Sequence, residues 1–590
     1  MPKIEVYEDA LFSYVGKRYT PEELEEIFPA AKAELDEQTN EDGIMKVELN
    51  DTNRPDLWSA AGLGRLLRVY RGEKPNRYTF LSTRTETQDP GTRVVKVEPS
   101  AASVRPYIVA FAAKGSPVDE AGLKDLIQTQ EKLCWNFGQK RRAVAMGIYR
   151  SELISYPVYY QGADPDTTAF VPLGMENQLT LREILENHPK GQEYGHIVAD
   201  APLFPFLKDA EDQVLSFPPI INSAHIGAVE EGDSELFVEL TGTDLRSLLL
   251  AANIVACDMS DAGFEILPVA VEYPQAFPAD LEFGTAMVTP YYFQEPQTTS
   301  LSAVNKLLGE TLSVREVAAA LERLGNTVEL EGESLRVIPA PYRNDFLHAV
   351  DIIEDVMIGR GMDSFTPELP RDFTVGALTQ VEELSRKIKG LMVGQGFQEM
   401  IYNYLGSGRD YIYRMHPGMQ EFLANLEEGQ TLEAFITDPS IVRVMNPMSE
   451  NYEYVRNSIL PSLLSSEAVS GNAVYPHHIF EVGKVVKIDS GENYGSKTLT
   501  SLGFLSADPE AGFNLVYSQF NALAYYMAWD YQVQESEDPR FISGRCADIL
   551  VGGKKVGVFG EIHPGVLENW GITMPCSAGE IDIESVLEAR

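Results

Sequence analysis

Residues 342–361 read YRNDFLHAVDIIEDVMIGRG, and the rest of the chain is best read outward from them. A helix at 100° per residue gathers Val350, Ile353, Val356 and Met357 on one side and Asp351, Glu354 and Asp355 on the other. Asp345 falls off that acidic side and fits the approach segment or first turn, where a carboxylate suits the positive helix end. Four carboxylates are thus expected near one point. Hard oxygen ligands at such density suit Mg²⁺ or Ca²⁺ without thiol or imidazole. The same spacing also describes a solvated acidic helix face.

Upstream, residues 293–367 form one small module. Ser313 and Glu316 make a capping box that opens a helix with Val317, Ala320, Leu321 and Leu324 as its apolar stripe. NTVELEGESLRVIPA then reads as a hairpin turning at Glu331-Gly332. Helices followed by a hairpin predict a winged-helix-like unit. It has few basic residues and an acidic flank, which argues against DNA as its partner. The proline-bearing stretch 276–292 before it reads as a linker.

The N-terminal region, residues 1–90, opens with a strand and then Thr20-Pro21-Glu22-Glu23, a strong helix-start signal. The turn Asn53-Arg54-Pro55-Asp56-Leu57 leads into a helix carrying Leu63, Leu66, Leu67 and Tyr70. Arg65, Arg68 and Arg71 are expected as helix-end charges on a solvated face. Residues 91–275 alternate β-rich runs (RPYIVAFAAK, AVAMGIYR, LFVEL) with helical ones, as in an α+β domain. On the strand LFVELTG, Glu239 and Thr241 point to the same side. Lys140-Arg141-Arg142 is a local basic cluster for a nucleic-acid end, or a solvated turn. Residues 371–590 begin with the amphipathic helix LTQVEELSRKIKGLMVGQG, continue through FQEMIYNYL as a strand, and carry further strands in HHIFEVGKVVKI and CADILVGGKKVGVFGEI.

Composition sets bounds on this reading. At 590 residues the chain exceeds a single core and calls for several domains. No apolar run approaches the roughly 20 residues of a membrane span, and no signal peptide is visible at the start. Cys134, Cys257, Cys546 and Cys576 are far apart and read as free thiols in a reducing cytoplasm. A net charge of −40 opposes nucleic-acid binding over the whole surface and leaves room only for a local basic patch.

The acidic residues of 342–361 recur at offsets of six, three and one, the Asn-Arg-Pro-Asp-Leu turn precedes a helix, and SFPPIINSAHIG and LFVELTGTD follow in order. In these features the chain resembles the short, archaeal and eukaryotic form of the phenylalanine–tRNA ligase beta-subunit family. The resemblance implies an α+β multidomain protein: an α/β proofreading domain over 91–275, the winged-helix-like module over 293–367, and a class II synthetase-like antiparallel sheet with helices over 371–590. It implies a proofreading pocket of Leu207, Ser216, Glu239 and Thr241 that removes tyrosine from tRNA(Phe). A hydrophobic pocket rejects an analogue that adds a hydroxyl by only about a hundredfold, so a second site must find that hydroxyl. A buried carboxylate accepts from a phenol and offers nothing to a bare ring. It also implies Mg²⁺ on Asp345, Asp351, Glu354 and Asp355.

The resemblance further implies an alpha2 beta2 heterotetramer in the cytoplasm, with tRNA(Phe) as substrate and no membrane or DNA partner. ATP would be used on the alpha subunit. Active class II domains grip ATP with arginines that HIFEVG and GEIHPG lack, so no aminoacylation residue is expected here. The other reading is a non-catalytic RNA- or protein-binding paralogue with the same domains.

Overall fold

The computed structural model describes residues 3–51, 53–274, 284–425 and 438–589. It divides into two compact units, Met1–Leu369 and Pro370–Arg590. The expected linker over 276–292 lies outside the described residues up to position 283.

The first unit begins with a three-stranded sheet, Ile44–Leu49 between Lys3–Tyr7 and Ala33–Glu37. Helix Pro21–Ile27 starts on the complete Thr20/Glu23 capping box. Helix Ala60–Tyr70 is capped by Ser59 and buries most of its length. Arg65 was expected in solvent and is instead 2% exposed. Its guanidinium bonds Asp258 and Asp261 and lies 4.0 Å from the Tyr342 ring, because acidic residues far along the chain fold onto it.

A ten-stranded sheet follows. At one end of it Tyr107–Lys114 pairs antiparallel with Glu235–Gly242, which pairs in turn with the edge strand Val144–Arg150. These strands read as near-continuous apolar runs because they are covered on both faces. Helix Leu245–Asp261 packs on one side, setting Leu248, Leu249 and Ala252 against Leu236, Val238 and Leu240. Tyr149, Tyr160, Leu207 and Phe237 fill the other.

The small module has sheet order Gln297–Ser300, Ser334–Ile338, Thr327–Glu331, with helices Leu301–Leu308, Val314–Glu322 and Ala349–Arg360. The Ser313/Glu316 capping box and the hairpin around Gly332 are both formed. On Ala349–Arg360 the apolar stripe is rotated from expectation: Val350 is 50% exposed, while Ile352, Ile353, Val356 and Asp355 are buried.

The second unit is a seven-stranded sheet, antiparallel except at one edge: Gln398–Glu399, His477–Ile488, Ser496–Ala507, Cys576–Asp582, Lys554–Ile562, Phe541–Val551, Tyr531–Glu535. Alternation along each strand feeds two cores. Phe480, Leu502 and Phe504 meet helices Gln380–Gly394 and Phe513–Tyr526, whereas Val485, Leu499 and Leu505 meet Leu460–Val469 and Pro564–Trp570. Arg456, fully buried, holds both oxygens of Glu481 at 2.8 and 2.7 Å and donates to the Lys484 carbonyl at 2.9 Å. Removing one partner of a buried ion pair leaves the other charged and dry. Arg456→Met is expected to cost this unit about 3–5 kcal/mol, and Arg456→Met with Glu481→Leu much less, read from urea unfolding. Equal losses in the single and double variants would contradict the pairing.

Candidate functional site

Alternation along Glu235–Gly242 puts Phe237, Glu239 and Thr241 on the face away from the long helix. Glu239 is therefore a carboxylate within an apolar and aromatic layer, 2% exposed. Its Oε1 accepts from the Tyr149 hydroxyl at 2.8 Å. Its Oε2 is buried with no hydrogen-bond partner among the described residues. Burial pushes the carboxyl up to about 7, against the Tyr149 hydrogen bond and the Arg105 charge, which both favour the ionised form.

Gly147 stands opposite Glu239 on the neighbouring strand. A Cβ there would come within 2.2 Å of Tyr149 Oη and 2.7 Å of Glu239 Oε1, so the contact exists only because this strand position is glycine.

Ser216 joins the same cluster from strand Val214–Phe217, with its Oγ 2.8 Å from Tyr149 Oη. Ser216 and Glu239 line a cavity of 330 Å³, with Met146, Ile148, Pro218 and Ile220 among its apolar walls. Arg141 and Lys190 are its cationic lining. Leu207 pairs with Ser216 but is fully buried in the aromatic layer and does not line the cavity. Thr241 does not line it either: its Oγ1 accepts from Arg105 Nε at 3.0 Å. The expected quartet is thus two cavity residues, Ser216 and Glu239, backed by two supporting ones.

Arg105 extends that support by donating to the carbonyls of Arg141 and Arg142 at 3.1 and 3.0 Å. The loop it grips holds Gln139, Lys140 and Arg141 at φ of 53°, 55° and 67°, a left-handed run that side chains rarely adopt. This conformation turns Arg141 back toward the cavity. It donates to the Pro219 and Ile220 carbonyls and stacks 4.3 Å from the Tyr194 ring. Tyr149, Gly147 and Arg105 escape a reading by motif. The one local signal was a glycine inside the β-rich run AVAMGIYR.

The acidic segment is arranged differently from its sequence reading. Asp345 and Asp355 meet, but on Arg343: its Nε bonds Asp345 at 2.9 Å and its Nη1 bonds Asp355 at 2.5 Å. Arg343 holds the Asp345 carboxyl below its usual range. Asp351 closes the helix N-terminus, accepting from the Leu347 and His348 amides. Glu354 points elsewhere and pairs with Lys32 at 2.8 Å. Among the described residues no group of three or more His, Cys, Asp or Glu is placed to hold a metal ion. The four-carboxylate cluster is therefore not formed, because an arginine two residues before Asp345 has taken the place of the cation.

In the second unit a cavity of 680 Å³ is lined by Asp438, Asp538, Glu580 and Asp582 against Lys487, Arg540 and Lys555. Arg540 is an arginine that motif reading did not find there. Asp538 at 2.7 Å and Glu580 at 3.6 Å already pair with it.

Comparison with known proteins gives the family of the chain. Residues 1–73 match the family described as the Phe-tRNA synthetase beta subunit B1 domain, and residues 297–362 the tRNA synthetase B5 domain. Residues 366–583 match the Phenylalanyl tRNA synthetase beta chain CLM domain. The chain is 46% identical over 589 residues to the phenylalanine–tRNA ligase beta subunit of Borrelia hermsii, covering 100% of both. It belongs to the phenylalanine–tRNA ligase beta-subunit family.

Another beta subunit, from Borreliella burgdorferi, is 45% identical over 588 residues, again covering 100% of both chains. The short form expected of the archaeal and eukaryotic type is thus also the form of these bacterial beta subunits. A crystal structure of an N-terminal fragment of the phenylalanyl-tRNA synthetase beta subunit from Pyrococcus horikoshii matches with a TM-score of 0.56 at 35% identity. It covers 61% of this chain and 99% of the fragment.

Arg343 is the testable centre of the acidic segment. Arg343→Met is expected to cost about 3–5 kcal/mol at neutral pH, since it strands two buried carboxylates. Asp345 has a depressed folded pKa, so its contribution is present above the ordinary carboxylate range and lost as pH falls. The gap between variant and parent should therefore narrow below about pH 4, read by thermal unfolding across pH. A pH-independent gap would contradict it.

Proposed function

We propose that this chain is the proofreading and scaffolding subunit of a phenylalanine–tRNA ligase, an aminoacyl-tRNA synthetase, and that it removes tyrosine from mischarged tRNA(Phe). The observation that carries this is Glu239 Oε2, a buried acceptor without a partner, on a residue lining a 330 Å³ cavity with largely apolar walls. A tyrosyl ester entering that cavity brings a phenol that satisfies the oxygen. A phenylalanyl ester leaves it unsatisfied and loses about 1–3 kcal/mol by comparison. Arg141 and Lys190 supply positive charge for the phosphates of the tRNA end. Water attacks the ester carbonyl and expels the terminal ribose hydroxyl. This chain's share is to select the side chain, hold the ester and exclude the bulk solvent.

Activation of phenylalanine with ATP belongs to a partner alpha subunit, in a cytoplasmic heterotetramer of two alpha and two beta chains. What supports this is the second unit's cavity, where four carboxylates outnumber three cations and Arg540 is already paired. A triphosphate needs unspent guanidinium or metal charge. No described helix is long and apolar enough to cross a membrane. All four cysteines are free and buried, as suits a reducing compartment.

Mg²⁺ would be held on the solvent side of Ala349–Arg360, away from the Arg343 clamp. Mg²⁺ typically keeps several waters and takes one or two carboxylates. Asp351 and Glu354, one turn apart, are the pair available to a hydrated ion once Glu354 leaves Lys32.

In the assembled enzyme, Glu239→Ala should lower tyrosyl-tRNA(Phe) clearance at least about tenfold while phenylalanylation is unchanged. Clearance at the parental rate would defeat the proofreading reading. Asp351→Asn with Glu354→Gln should abolish bound Mg²⁺ measured by elemental analysis of the purified complex. Unaltered Mg²⁺ content would remove those two residues from any metal site.

A further inference from the structure

Tyr149 shares its hydroxyl with two residues of the proposed pocket. Its Oη lies 2.8 Å from Glu239 Oε1 and 2.8 Å from Ser216 Oγ. A phenol has one proton to give, and a carboxylate is the stronger acceptor. The Tyr149 hydroxyl is placed as donor toward both, so its one proton goes to the Glu239 carboxylate, with Ser216 Oγ as the competing acceptor.

We infer that Tyr149 is the positioning residue of this pocket, an internal phenol that fixes one oxygen of Glu239 and leaves the other to a substrate phenol. The inference rests on the proofreading reading above and says how its selectivity is built. Three observations converge on it. The two carboxylate oxygens are unequal, one bonded to Tyr149 and one buried without a partner. Gly147 is the cross-strand neighbour that leaves room for the contact, since any Cβ there would collide with both Tyr149 Oη and Glu239 Oε1. Ser216 lines the cavity and meets the far side of the same hydroxyl, so the phenol cannot rotate away without losing both bonds.

Packing alone is the competing account, because the Tyr149 ring is fully buried and lies 6.1 Å from the Phe237 ring. Phenylalanine would fill that space as well. What it cannot do is hold the carboxylate ionised and oriented. Loss of the hydroxyl should let burial push the Glu239 carboxyl higher. The other charged or titratable groups that bear on it are Arg105 from the segment before Tyr107–Lys114, Tyr160 from Val158–Ala163, and Cys134 from Leu133–Phe137, while Arg141 and Lys190 face the same cavity. Arg105 favours the ionised form and the burial opposes it, while the neighbour on Tyr107–Lys114 is Ala110, which is uncharged. An ionised carboxylate accepts a phenol more strongly than its acid form, so discrimination should rise with pH as Glu239 ionises near 7.

The test is the pH profile of tyrosyl-tRNA(Phe) clearance by the assembled enzyme, for parent, Tyr149→Phe, Ser216→Ala and Glu239→Gln. Clearance by the parent should rise through about pH 7. Tyr149→Phe should move that midpoint upward by about one pH unit and lower the rate at pH 7 by about tenfold. Ser216→Ala, which leaves the ring packing intact and removes the competing acceptor, should move it downward by less. Glu239→Gln should be slow and flat with pH. A parental profile in Tyr149→Phe, with Glu239→Gln impaired, overturns this inference while the proofreading reading stands. Parental clearance by Glu239→Gln overturns both. Should Tyr149→Phe not fold, a parental profile in Ser216→Ala overturns the inference by itself.

Discussion

A half-satisfied carboxylate on a strand paired along both sides is the constraint on which the first unit turns. Leaving one buried oxygen unpaired costs on the order of 1–3 kcal/mol, and a flexible site would relax to recover it. Glu239 has no such freedom. Its strand is paired on both sides, Gly147 and Ala110 set the spacing, and Tyr149 holds the other oxygen. Arg105 pins Thr241 two residues further on, and the same guanidinium holds the loop that aims Arg141. The left-handed backbone at residues 139–141 is a second local cost borne by the same neighbourhood. Strain and an unmet hydrogen bond in one place, over-determined by rigid strands, are what a selective pocket requires.

Buried arginines organise much of the remainder. Arg54 holds Asp56, Arg65 holds Asp258 and Asp261, Arg343 holds Asp345 and Asp355, and Arg456 holds Glu481. In a chain with 88 acidic and 48 basic residues, guanidinium groups are scarce, and these are spent inside. The planar fork suits the task because it serves two carboxylates at fixed geometry, as Arg343 does. Such clamps are weak evidence for stability, since hydrophobic replacements often do as well, but they fix register between distant segments.

This also explains which parts of the structure were legible in the sequence. Signals that act within a few residues were realised: the capping boxes at Thr20 and Ser313, the hairpin at Gly332, the helix Gln380–Gly394 and the strand His477–Ile488. Glu239 and Ser216, named through resemblance rather than periodicity, line one cavity. Signals that need a distant partner misled. The spacing of Asp345, Asp351, Glu354 and Asp355 is compatible with a cation or with a counter-ion, and only folding reveals Arg343 between two of them. The same clamp drew Asp355 inward and rotated the helix, leaving Val350 in solvent. FQEMIYNYL was read as one strand on composition. It pairs only at Gln398–Glu399 and Leu405–Gly406, and Ile401 between them is 87% exposed. Tyr149 was invisible because its contacts depend on a glutamate from the neighbouring strand and a serine from another hairpin.

Charge then limits how such a chain handles RNA. Phosphate contacts dominate nucleic-acid affinity, and each one gained adds to its salt dependence. A surface with a formal net charge of −40 repels a polyanion at long range, so binding must be confined to short-range sites where cations are locally concentrated. The cavity beside Glu239 carries one such cation, with Arg141 fixed there by the Pro219 and Ile220 carbonyls. Carbonyls orient its guanidinium, and Glu193 is the carboxylate that feels its charge. Arg540 in the second unit shows the opposite arrangement, held by Asp538 and Glu580 and left with little charge to offer a phosphate. One arginine is anchored by carbonyls and the other by carboxylates, and that difference in unspent charge is what the proofreading proposal draws on.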